Sequence, residues 1–131
     1  MSGAAERGSP APRIPDLPAL ALDLAVGLLL ALIGRASHGE GIGPLDVANT
    51  ALPFWAGTLA THLVLESARR PRRTLRAGIW VWLVTWMTGL ALRLVLGEGA
   101  ALPFVLVSGV FLLAGTMLWR VIASRRARAR S

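Results

Sequence analysis

Apolar residues gather in four runs, 17–33, 50–68, 77–96 and 100–123, separated by short polar or glycine-rich segments. At about 1.5 Å per residue each run approaches or exceeds the roughly 30 Å hydrocarbon core of a bilayer. The expected fold class is all-α, a polytopic membrane protein with four transmembrane helices. Prolines bear on the boundaries. Pro53 would damage a helix interior but is harmless in a first turn, where its missing N–H has no intrahelical partner. By analogy with Pro103, at the start of the fourth run, the second helix is expected over about Thr50 to Ala68, capped by Asn49 or Thr50, with Asp46 left in a longer loop. Residues 1–16, where Pro10, Pro12 and Pro15 mix with Gly, Ser and Arg, read as a disordered cytoplasmic leader. Residues 17–123 form the membrane domain and 124–131 a basic cytoplasmic tail.

The first and third runs end alike. Gly34-Arg35-Ala36-Ser37-His38-Gly39-Glu40-Gly41 is echoed by Arg93-Leu94-Val95-Leu96-Gly97-Glu98-Gly99, and Ala-Leu-Pro-Phe follows each, at 51–54 and 101–104. Gly-Glu-Gly and Pro-Phe are not products of an Ala/Leu bias, so the echo reads as an internal duplication. Each unit would hold two helices pointing the same way, giving parallel repeats about an axis along the membrane normal.

Composition narrows the setting. The 131 residues are 54% hydrophobic and contain no Cys, which rules out disulfides, thiolate metal sites and cysteine nucleophiles. The net charge of +7 is carried by arginine alone, without lysine. Ten arginines lie in two clusters, 69–76 and 120–130, directly after apolar runs. That is where topology places basic residues, so nucleic acid is not an expected partner. The clusters belong in the cytoplasm, with both termini, while the two Gly-Glu-Gly corners face outward. Arginine in place of lysine suits a GC-rich bacterial genome and hence a bacterial inner membrane. Arg69, Arg70, Arg72, Arg73 and Arg76 are candidates to hold anionic lipid headgroups. Trp80, Trp82 and Trp119 fit an interfacial aromatic belt.

Asp23, the Gly34-Arg35 and Ser37-His38 corner, Leu52-Pro53-Phe54, the basic loop and Trp82-Leu83-Val84-Thr85 with Arg93 form a pattern. It resembles the small bacterial membrane proteins grouped as domain of unknown function 3054. The resemblance covers nearly the whole chain after the leader. It implies four helices and no activity, cofactor or site residue.

Ionisable groups inside apolar segments are costly and mark candidate sites. Asp23 and His62 lie at similar depth on antiparallel helices, and Glu66 is four residues from His62 on one helical face, so the three form an inner polar cluster. It would act as a proton relay or cation site, or as a clasp between the first two helices. Arg35 and Arg93 would approach one another outside, with Glu40, Glu98 and His38 beside them. Two guanidiniums in a partly dehydrated funnel offer forked donors to an anion; the alternative is a lock on the corners. Ser37, His38 and Asp46 lack the spacing of a hydrolase or metal motif, and a solvated loop is the default. Without lysine there is neither a P-loop nor Schiff-base chemistry. No metal or cofactor is expected, and an integral membrane enzyme ranks third, behind the two readings that follow. The leading expectation is a small permease or channel-like protein, oligomeric because four short helices enclose little space. The alternative is a non-catalytic interaction or assembly protein whose polar residues are structural.

Overall fold

The computed structural model describes residues 15–131, so all but the last two residues of the expected leader lie outside the described residues. Four helices follow in order: α1 (Leu17–Ser37), α2 (Pro44–Ser67), α3 (Leu75–Val95) and α4 (Leu102–Ala129). There is no strand among the described residues. Helices α1, α3 and α4 are long and apolar enough to cross a membrane. Helix α2 is 24 residues long but less apolar, because it carries polar groups that face inward: Thr58, Thr61 and His62 are all buried. The outer faces are the reverse of a water-soluble surface, with Leu63, Leu106, Val110 and Leu118 all largely exposed.

The start of α2 corrects the sequence expectation. Gly43 is the N-cap and Pro44 opens the helix, while Pro53 lies inside it. Pro44 already fills the first-turn role that the sequence reading gave to Pro53, so the helix begins two turns earlier. Asp46 is therefore not in a loop. It sits in the first turn of α2, where its carboxylate faces the positive end of the helix dipole. The two Ala-Leu-Pro-Phe segments are accordingly placed differently, 51–54 inside α2 and 102–104 opening α4.

Neighbouring helices run antiparallel, and polar bonds tie them across the ring. Trp55 Nε1 donates to Leu24 O (2.9 Å), Thr58 and Thr85 share a hydroxyl bond (2.9 Å), and Trp82 Nε1 donates to Gly109 O (2.8 Å). Val26, Leu30, Phe54 and Leu112 form the central apolar cluster. The ring closes where α4 meets α1, and that seam is the sparsest of the four. Trp82 and Trp119 are not belt residues, since both indoles donate inward; Trp80 is half exposed.

Both glycine-rich corners are helix ends of one type. Glu40 N bonds Arg35 O and Glu98 N bonds Arg93 O, each at 2.9 Å, while Gly39 N reaches Ala36 O and Gly97 N reaches Leu94 O. This is the Schellman arrangement, and it requires a left-handed residue at the turn: Gly39 has φ +67° and Gly97 φ +76°. The Arg-x3-Gly-Glu spacing follows from it, because the long backbone bond brings the arginine and glutamate together. The echo in the sequence is thus a capping motif used twice.

Candidate functional site

The corners frame the mouth of a cavity of about 920 Å3 lined by Arg35, His38, Glu40, Arg93 and Glu98. Below them its wall is Leu30, Phe54, Phe104, Val107, Ser108 and Phe111. Most of the lining comes from α1 and α4, so the cavity is a crevice where the sparse seam between them parts. Arg35 donates to Gly41 O and to Thr50 Oγ1 (3.0 Å) and pairs with Glu40 at 3.1 Å. Arg93 pairs with Glu98 at 3.0 Å, and its guanidinium lies 4.5 Å from the Phe104 ring centre. Each arginine therefore pairs within its own corner; among the described residues no ion pair crosses between corners. Arg93 Nε is buried without a hydrogen-bond partner. A buried donor left unpaired carries a desolvation cost.

The vertical order of the charges matters. Arginine side chains Arg35 and Arg93 are 20% and 17% exposed, against 52% and 41% for Glu40 and Glu98. The carboxylates lie beyond the helix ends, at the rim; the guanidiniums lie one step in, on the last turns of α1 and α3. Ser37 donates to Gly34 O and His38 is exposed, with Asp46 on α2, so the three do not form a triad. Among the described residues no group of three metal-ligating side chains is found.

At the other end of the bundle lies a buried ionic knot. Asp23 accepts from His62 Nε2 (2.7 Å), from both terminal nitrogens of Arg120 (2.8 and 2.7 Å) and from Trp119 Nε1 (2.8 Å). The Asp23 and Arg120 side chains are fully buried. Arg120 also donates to Arg72 O and Thr116 O, so its fork is fully used. His62 faces a carboxylate through Nε2, which carries the hydrogen, and its Nδ1 is buried without a partner. The sequence pairing of Asp23 with His62 is present, but Glu66 is not in the cluster. Glu66 pairs instead with Arg72. Arg120 and Trp119 are the members that sequence reasoning missed. The signal was available: apolar Val121, Ile122 and Ala123 follow Arg120, which makes it an interruption of the fourth run.

The basic loop is divided. Arg72 is buried at 7% exposure rather than turned to headgroups, since it covers the knot and pairs with Glu66. Arg73 forks onto Asp16, the cap of α1, at 2.7 and 2.8 Å. That hydrogen bond, with the coulombic pull of Arg73, holds the Asp16 carboxyl below its ordinary range against a smaller opposing effect of burial. Arg70 and Arg76 are exposed. A small cleft of about 240 Å3 runs between Pro15, Asp16, Glu66 and the loop.

An antiparallel helical ring with lipid-like outer faces and an open polar mouth defines a class, the small helical membrane proteins. Within it the chain belongs to the family described as proteins of unknown function, DUF3054, whose model matches residues 20–123. It matches no curated protein and no solved structure.

Proposed function

We propose that the protein is a small permease of the bacterial cytoplasmic membrane, with four spans, both termini cytoplasmic, and its cavity open to the outside. What carries the reading is a crevice in which two arginines from different helix ends stand over an apolar floor. Its volume lies within the roughly 300–1,000 Å3 of small-molecule sites. The Asp23–Arg120–His62 knot closes the inner side and would be the inner gate. The equal capping of α1 and α3 favours two parallel two-helix repeats, and a ring of four helices favours an oligomer as the working unit.

A second reading has one observation in its favour. The knot satisfies nearly all its polar groups internally and does not line the cavity, as expected of an assembly protein whose polar residues only fix the bundle. Cysteine labelling separates the two, because the chain has no native Cys. Phe111→Cys, at the cavity floor, is expected to react with a membrane-impermeant thiol reagent from outside, and Asp23→Asn in that background to add reaction from inside. No reaction from outside would overturn the cavity reading. An unfolded or inwardly unreactive Asp23→Asn variant would favour the assembly protein.

A further inference from the structure

The charges, floor and position of the crevice select a class of ligand, an inference that rests on the cavity reading above. Its mouth holds two guanidiniums and two carboxylates, so it is balanced rather than cationic, and a simple anion would bring in an uncompensated negative charge. A zwitterion need not. With carboxylates at the rim, guanidiniums below and aromatic rings below those, the layers match a molecule bearing an ammonium outermost, a phosphate next and an apolar chain beneath. Depth agrees. From Leu102 at the start of α4 to Phe111 is nine residues, about 14 Å along the axis at 1.5 Å per residue. That is the thickness of one leaflet, about half of a roughly 30 Å hydrocarbon core. A side entrance fits the same walls, because α1 and α4 have the sparsest contact in the ring and Ile33 and Val107, which line the crevice, are exposed.

We propose that the α1–α4 crevice binds an ammonium-bearing phospholipid of the outer leaflet, of the phosphatidylethanolamine class, taken in sideways from the bilayer. The phosphate oxygens accept from the Arg35 and Arg93 guanidiniums that line the mouth. The ammonium donates to Glu40 and Glu98, and one acyl chain lies against Leu30, Phe54 and Phe111. Forked arginine donors suit phosphate, and carboxylates distinguish an ammonium with N–H groups from a quaternary choline without them.

The test is native mass spectrometry of the full chain in detergent, titrated with phosphatidylethanolamine, phosphatidylcholine and phosphatidylglycerol of equal chain length, and separately with free phosphoethanolamine. Phosphatidylethanolamine is expected to bind at least tenfold better than the other two. Arg93→Gln should remove that binding, Glu40→Gln with Glu98→Gln should reduce it to the phosphatidylcholine level, and Val107→Trp should block it by filling the crevice without touching a charge. Equal binding of the three lipids, or binding indifferent to Val107→Trp, means annular lipid and overturns the proposal. Competition by phosphoethanolamine as strong as that of the lipid overturns the lipid source but leaves a soluble zwitterion in the same cavity. Loss of all binding in every form of the protein overturns both this proposal and the cavity reading.

Discussion

At the scale of single residues, the buried knot decides more than any other group. A carboxylate and a guanidinium removed from water are costly unless their geometry is good and their remaining hydrogen-bond groups are filled. Asp23 and Arg120 meet that condition through a two-bond fork, with His62 and Trp119 on the remaining carboxylate positions. Removing one partner strands the other. Arg120→Met is expected to destabilise the protein by about 3–5 kcal/mol, and Asp23→Asn added to it to recover much of that loss. Thermal unfolding of the unaltered protein and the two variants in one detergent reads it, and a double variant no better than Arg120→Met would refute the pairing. Asp23 with His62 was legible in the sequence because equal depth on adjacent antiparallel helices is arithmetic. Arg120 was overlooked despite the apolar residues that follow it, because it opens an arginine cluster that topology explains without it. Only the closing of α4 against α1 shows that this one arginine points inward.

At the scale of elements, helix ends and helix contacts follow different physics. The three long apolar helices were legible from length alone. The start of α2 was not, because two prolines competed for one first turn and Pro44 holds it while Pro53 is accommodated inside the helix. Close contact between α2 and α3 is set by Gly57. A Cβ there would lie 2.7 Å from Thr85 Cα and 2.9 Å from Val84 O, both backbone atoms that cannot rotate away. Gly57→Ala should therefore push the helices apart, strain the Thr58–Thr85 bond and cost about 1–3 kcal/mol. Gly34 is the control, since a Cβ there meets nothing within 4 Å. Gly34→Ala should leave the melting temperature unchanged or raise it slightly, given the poorer helix propensity of glycine. Equal effects at the two positions would show that the α2–α3 approach is not set by Gly57.

For the whole molecule, the proposed orientation depends on which end of the bundle holds the arginines. Contacts gather them at one end: Arg73 reaches Asp16 at the start of α1, and Arg120 near the end of α4 reaches the carbonyl of Arg72 between α2 and α3. The start of α1, the α2–α3 loop and the tail of α4 therefore lie together, and the two glycine corners lie together at the opposite end. Short basic loops are retained on the cytoplasmic side. Helix α2 is not apolar enough to rank with the other three as a membrane-crossing helix, yet its neighbours α1 and α3 cover it on two sides and it ties the glycine corner at Thr50 to the opposite end at Glu66. In the proposed four-span arrangement it crosses the membrane beside them. Single cysteines then have fixed sides: Ser37→Cys, at the end of α1, should label only from outside, and Ser67→Cys and Ser131→Cys only from within. Labelling of Ser37 and Ser67 from the same side would remove α2 from the membrane. The outward mouth would go with it, since Thr50 and Phe54 of α2 form part of the cavity that Arg35 and Arg93 overlook.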